Sequence, residues 1–191
     1  MVKAIFFDRD GVLNDLVQRS SSSFTAPWRI EEFNIIESSI QAVKNASAMG
    51  FATFVVSNQP DLHDNLMTWR DEQAMLECIK LHFSFTEILY AYIRTGIDYK
   101  PKTGMVDYLC AKYNVDRTQS YMIGDRWKDV VCGKRSQLTT LIVKTDGYGV
   151  VPDKYTPGKY VPDYWVESAY EAVELIKQLE SEKQNGNQDL R

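Results

Sequence analysis

Val2-Lys3-Ala4-Ile5-Phe6-Phe7-Asp8-Arg9-Asp10-Gly11-Val12 opens the chain with an apolar run that ends on two acids and a glycine. A short apolar run bounded by turn chemistry reads as a buried strand. Residues i and i+2 of an extended segment point the same way, so the Asp8 and Asp10 carboxylates can aim into one site. Gly11 lets the backbone turn away without a side-chain clash. Two acids held together repel, and the pairing lasts only where a cation or a shared proton relieves it. The stretch therefore points to magnesium and phosphate chemistry at the end of a strand. A bare D-x-D is also common in surface turns, so the rest of the chain has to decide.

Outward from this stretch, apolar runs alternate with helical patterns. Strands are expected over 2–7, 51–56, 87–93, 121–123 and 140–143, with a sixth near Val166. Helices are expected over 36–49, 68–83, 104–113, 127–135 and 167–182. Strands alternating with helices imply β-α-β units, hence a doubly wound, Rossmann-like α/β fold with a parallel sheet and helices on both faces. Two segments interrupt the rhythm: the Ser-rich stretch 18–27, and a Gly-, Pro- and Tyr-rich loop over 146–163. One domain is expected over 1–180, with 181–191 a polar, frayed tail.

The bulk composition narrows the partners. A chain of 191 residues with 44% hydrophobic and 25% charged residues fits one soluble domain with its own core. A net charge of −4 speaks against a dedicated nucleic-acid binder, which would carry a basic stripe. Cys78, Cys110 and Cys132 are odd in number and form no C-x-x-C pair, so neither a disulfide framework nor a zinc site is expected. No apolar stretch has bilayer-spanning length. A first strand starting at residue 2 leaves no room for a signal peptide, so a cytoplasmic location is expected.

Ligands of open parallel sheets bind beyond the carboxyl ends of the strands. There the chain offers Asp8 and Asp10 after the first strand and Ser57, Asn58 and Gln59 after the second. Lys100-Pro101 follows the third, and Gly124, Asp125 and Asp129 the fourth. Each has an ordinary explanation alone: Ser57 a helix cap, Lys100 a solvated lysine, Asp125 a turn residue, Asp129 an acid favoured by a helix dipole. His63, His82 and the tryptophans, Trp28 included, read as loop or packing residues. The four segments in order, each after an expected strand, are a much stronger signal.

This order and spacing resemble the haloacid dehalogenase-like (HAD) hydrolase superfamily, over roughly residues 2 to 145. The resemblance implies a phosphomonoesterase that uses Mg²⁺ and an aspartyl-phosphate. Asp8 would be the nucleophile and Asp10 the acid and base. Ser57 and Lys100 would stabilise the phosphoryl oxygens. The metal would be held by Asp8, Asp125 and the main-chain carbonyl of Asp10, with Asp129 in support. Asn58, Gln59, Tyr99 and Arg126 are candidate substrate contacts. The spans 14–37 and 61–99 are too short or too occupied for a cap domain, so a capless member with an open site is expected.

Within the superfamily the wording is similar to the D-glycero-D-manno-heptose 1,7-bisphosphate phosphatase and histidinol-phosphatase subgroup. Asp8-Arg9-Asp10-Gly11, Asn58-Gln59, Lys100-Pro101 and Gly104-Met105 carry that similarity. The subgroup's zinc loop of Cys and His is missing between Phe85 and Tyr99, so no structural zinc is expected. Tyr99 stands where an arginine usually precedes the lysine, and a tyrosine cannot replace a bidentate anion clamp. The expected substrate is a small phosphorylated metabolite, such as a heptose bisphosphate or a related phosphomonoester. Two other classes compete. A nucleic-acid 3′-phosphatase shares the scaffold but is disfavoured by the acidic balance. A phosphoacceptor signalling domain would need its acceptor aspartate after the third strand, where this chain supplies Lys100.

Overall fold

Ala4–Phe7 (β1) is buried along its whole length in the computed structural model, which describes residues 1–21, 23–145 and 160–186. Its side chains alternate between two cores, as the period of a strand demands. Ile5 and Phe7 face one cluster; Ala4 and Phe6 face the other. A strand apolar on both faces belongs at the centre of a parallel sheet. β1 pairs in parallel with β4 (Ala52–Asn58) on one side and β6 (Tyr121–Gly124) on the other. The six-stranded sheet is completed by β5 (Glu87–Ala91), β7 (Thr139–Val143) and β8 (Tyr164–Val166), in the order β5-β4-β1-β6-β7-β8 and parallel throughout.

Helices cover both faces. The Ile5 and Phe7 face packs against Ala42, Val43 and Ala46 of α1 (Glu37–Ala48), Met75 and Ile79 of α3 (Trp69–His82), and Ala172, Val173 and Ile176 of α6 (Ala169–Gly186). The opposite face packs against Met105, Val106 and Leu109 of α4 (Gly104–Tyr113) and Cys132 of α5 (Trp127–Arg135). From β1 the chain winds outward through β4 and β5, then crosses back to β6 on the other side of β1. This reversal opens a crevice beyond the carboxyl end of β1, where ligands of doubly wound sheets bind.

Three expectations change. The stretch 18–27 is not a structureless break: β2 (Val17–Ser20) and β3 (Ser23–Thr25) form an antiparallel hairpin. Ser57 and Asn58 lie within β4 rather than after it, because β5 continues the pairing as far as Asn58 opposite Ala91. A four-residue helix, α2 (Pro60–His63), follows at once. The closing helix runs to Gly186, so the polar stretch from Ser181, expected as a frayed tail, is helical for its first six residues. Glu180 anchors it by accepting hydrogen bonds from the Tyr121 hydroxyl (2.6 Å) and the Lys3 and Lys183 ammonium groups (2.5 and 2.8 Å). Most of the loop expected over 146–163, and residues 187–191, lie outside the described residues. Among the described residues no helix is long and apolar enough to cross a membrane.

Candidate active site

Beyond β1 the chain makes a tight turn in which Leu13 N–H donates to the Arg9 carbonyl (2.7 Å) and Gly11 N–H to that of Asn14 (2.8 Å). Gly11 has φ of +78°, a conformation that glycine tolerates and other residues rarely adopt. A methyl group there would also lie 2.5 Å from Asp125 Oδ2. The turn thus brings the first acid pair against the loop after β6. Gly124 does the same for Asp129, since a Cβ at Gly124 would lie 2.3 Å from the Asp129 side chain.

The four sequence segments meet at a cleft of about 200 Å³ whose lining includes Asp8, Asp10, Ser57, Lys100 and Asp129. Lys100 Nζ is 3.0 Å from Asp8 Oδ2 and 2.5 Å from Asp129 Oδ1. Burial alone would push that ammonium's pKa down, but Asp129 and Asp8 hold it well above the usual lysine range, so it stays charged. Asp129 Oδ2 accepts from the Arg126 N–H at the start of α5 (3.0 Å), which fixes the carboxylate facing Lys100. Asp129 therefore acts first as the counter-charge of Lys100.

Asp125 is fully buried. Its Oδ2 accepts from the Thr145 hydroxyl (3.0 Å), while its Oδ1 has no hydrogen-bond partner. Burial first, and then the charge of Asp8, push this carboxyl well above the usual carboxylate range. Carboxylate oxygens of Asp8, Asp125 and Asp129 lie within 4.8 Å of one another. An orphaned buried oxygen amid hard anionic donors is what a divalent cation would satisfy, and such donors suit magnesium. The residues fit the metal.

The candidate substrate contacts divide. Tyr99 and Arg126 line the cleft. Asn58 lines it too, but its side-chain amide is engaged at both ends with the Lys100 backbone, donating to the carbonyl and accepting from the N–H, both at 2.9 Å. Gln59 is buried and not among the lining residues; its Nε2 donates to Asp10 Oδ2 (2.6 Å) and Ser57 Oγ (3.1 Å). His63 also stands apart from the lining, paired with Asp64 at 3.8 Å. Trp28 donates its indole N–H to Asp61 at the rim (2.9 Å).

Several further residues line the cleft beyond the candidate contacts named from sequence, some of them from the 18–28 stretch, whose loop is expected to help choose the substrate. The hairpin sends Phe24 and Thr25 into the cleft. Arg94 and Lys128 also line it, and both approach the Tyr99 hydroxyl, at 3.1 and 3.4 Å. Their signal was faint: Lys128 flanks the fourth motif, and Arg94 is the cation in the segment that precedes Lys100.

A family model described as HAD-hydrolase-like matches residues 99–172, which include Lys100, Asp125 and Asp129. The D-glycero-β-D-manno-heptose-1,7-bisphosphate 7-phosphatase of Pasteurella multocida is 31% identical over 95% of this chain and all of its own. The chain belongs to the HAD-like hydrolase family. Another similar HAD-like phosphatase, the D-glycero-D-manno-heptose-1,7-bisphosphate 7-phosphatase of Chlorobaculum tepidum, is 28% identical over 90% of this chain and 92% of its own. The crystal structure of the D,D-heptose 1,7-bisphosphate phosphatase from B. bronchiseptica, complexed with magnesium and phosphate, superposes with a TM-score of 0.74. It is 20% identical and aligns over 93% of this chain and 99% of that one; at that identity the likeness shows the fold. This HAD-like protein is thus a phosphatase, a phosphoric monoester hydrolase.

Proposed function

We propose that this phosphatase hydrolyses a phosphomonoester of a sugar bisphosphate, of the heptose 1,7-bisphosphate type, through a covalent intermediate on Asp8. One observation carries the reading: a single cleft has Asp8 beside Lys100 at its floor, Arg94 and Lys128 meeting at the Tyr99 hydroxyl in its lining, and Arg126 lining it as well. The floor suits the phosphoryl group that is cut. The cations suit a second phosphate that is not, at a position other than the residue before Lys100. The heptose-bisphosphate phosphatases similar to this chain support the choice of sugar.

Asp8 attacks phosphorus, and the ester bond from phosphorus to the sugar oxygen breaks. The leaving oxygen takes a proton from Asp10. Water then attacks the phosphorus of phospho-Asp8, Asp10 takes its proton, and inorganic phosphate leaves with Asp8 restored. Splitting the displacement makes each half easier. Lys100 and the Ser57 hydroxyl hold the equatorial phosphoryl oxygens, in a site arranged before charge develops. Asp8, Asp125 and the Asp10 main-chain carbonyl would hold Mg²⁺, whose positive charge would offset the repulsion between the Asp8 carboxylate and a phosphate dianion. No structural zinc is part of the proposal, since the segment before Lys100 has no Cys or His.

The test is phosphate release with Mg²⁺ present. The substrates compared are heptose 1,7-bisphosphate, heptose 1-phosphate, histidinol phosphate and a 3′-phosphorylated oligonucleotide. The bisphosphate is expected to have the highest kcat/KM, and Asp8→Asn to abolish turnover while the fold is kept. Arg94→Ala and Lys128→Ala should each raise KM for the bisphosphate about 10-fold, the scale of one lost charged hydrogen bond, and hardly change it for monophosphates. Preference for the oligonucleotide, or turnover by Asp8→Asn, overturns the reading.

A further inference from the structure

A second charged network lies behind the cleft, and the reaction as described leaves it without a purpose. Arg9 is fully buried between the two acids of the first motif. Its Nε donates to Asp10 Oδ1 (3.0 Å), and its Nη2 donates to Asp10 Oδ2 (3.2 Å) and Gln59 Oε1 (2.7 Å). The opposite corner, Nη1, donates to Glu72 Oε2 (3.2 Å). Phe33 and Tyr90 close over the guanidinium, with ring centroids 5.6 and 5.3 Å from its central carbon, within cation–π range. Burial would weaken the arginine's charge, but Asp10, Tyr90 and Glu72 restore it.

Glu72 is the unexpected member. It is fully buried on α3, on the stripe that continues with Met75 and Ile79. Replacing Arg9 and Glu72 together by well-packed apolar side chains would cost little, because a buried ion pair rarely out-stabilises them, whereas removing Glu72 alone would strand the buried Arg9 Nη1. Stability is therefore a poor reason for the pair as a whole. Geometry supplies a better one. With Nη1 tied to Glu72, the Nε and Nη2 edge of Arg9 has one place to face, the two oxygens of Asp10. Asn14 Nδ2 (3.0 Å, to Oδ1) and Gln59 Nε2 (2.6 Å, to Oδ2) complete the clamp. Neither Asp10 oxygen can turn without breaking a bond.

We infer that Glu72, acting through Arg9, is a positioning residue that fixes the Asp10 carboxyl for proton transfer to the leaving group. This rests on Asp10 being the acid, so the test must separate the two claims. An alkyl leaving group, such as a sugar oxygen, needs the proton; p-nitrophenolate leaves without it. The readout is kcat/KM, which reports formation of the phosphoenzyme, for heptose 1,7-bisphosphate and for p-nitrophenyl phosphate.

Glu72→Gln keeps the shape and an acceptor oxygen, and Glu72→Leu removes both. Glu72→Gln should lower kcat/KM for the sugar substrate about 10-fold and Glu72→Leu about 100-fold, within the range of general acid catalysis. Each should lower it less than 3-fold for p-nitrophenyl phosphate. Asp10→Asn should show the same preference, more strongly. If Asp10→Asn loses both substrates equally, Asp10 is not the acid and the underlying reading fails, as it also does if the wild type cleaves neither. If Asp10→Asn discriminates while Glu72→Gln loses both equally or neither, the inference about Glu72 is overturned. A Glu72→Leu that does not fold leaves Glu72→Gln to decide.

Discussion

Asp125 carries a buried carboxylate with one oxygen that accepts no hydrogen bond and has only the Arg126 guanidinium 3.9 Å away, with Asp8 close by. A carboxyl whose pKa is raised on folding costs stability above that raised value, and the cost fades as the pH falls and it protonates. At neutral pH without metal, Asp125 thus opposes folding. Asp125→Asn should leave the metal-free protein as stable as the wild type or up to about 2 kcal/mol more stable, the scale of an uncompensated buried polar group. Magnesium reverses the ranking. At 100 times its Kd it should stabilise the wild type by about 2.7 kcal/mol and the variant hardly at all. Thermal melts in EDTA and across a Mg²⁺ titration measure both effects, and a wild-type Mg²⁺ shift in Asp125→Asn would remove Asp125 from the metal site. Asp8 and Asp125 were legible in sequence because an acid straight after a buried strand is chemically conspicuous, and Lys100 because its segment takes its place in order among the other three. Arg9 and Glu72 were not: their partnership spans 63 positions and follows from no local pattern. Gln59 was legible as part of the site, but only coordinates turn it toward Asp10 and away from the cleft.

Most elements announce themselves through apolar period, and the β2–β3 hairpin does not. Its strands, Val17–Ser20 and Ser23–Thr25, are half-exposed and Ser-rich, so no stripe marks them. What docks the hairpin is one side chain. Arg19 donates to both oxygens of Glu32 (2.6 and 2.7 Å), to Thr25 Oγ1 (3.0 Å), and lies 3.9 Å over the Trp28 ring. Trp28 in turn reaches Asp61 at the cleft rim. Contacts of this kind, between residues whose types suit any surface loop, are invisible to periodicity. They also predict a separation of effects. The Arg19–Glu32 pair is partly exposed, so Arg19→Ala should lower global stability by no more than about 1 kcal/mol. Phe24 and Thr25 would lose their support, so KM should rise several-fold while kcat, set by Asp8 and Asp10, stays near the wild-type value. Cleavage by a protease between β2 and β3 should quicken. Unchanged KM and protease resistance in Arg19→Ala would show that the hairpin is held by something else.

Over the whole molecule, two apolar cores back to back on one sheet account for the packing, and a few charged ties join the ends of the chain to it. The largest joins β1's approach, β6 and α6: Glu180 accepts from Lys3, Tyr121 and Lys183. Burial works against its charge, but the bonds from Lys183, Lys3 and Tyr121 prevail and carry its pKa down to about 2, from an ordinary value of 4.5. A carboxyl lowered on folding stabilises the fold above its unfolded pKa, and that contribution is lost as the pH falls through the folded one. The tie is therefore complete above about pH 5 and drains away between about pH 4.5 and 2. Lys3 and Lys183 remain substantially exposed, so solvent screening cuts its worth to about 1 to 2 kcal/mol. Glu180→Gln should lower stability by that amount at pH 7, and the gap between variant and wild type should close on acidification across that window. Urea unfolding at several pH values measures the gap directly. A difference that stays constant from pH 7 to pH 3 would mean that Glu180 acts through packing, and that the far end of α6 is held to the sheet by shape and not by charge.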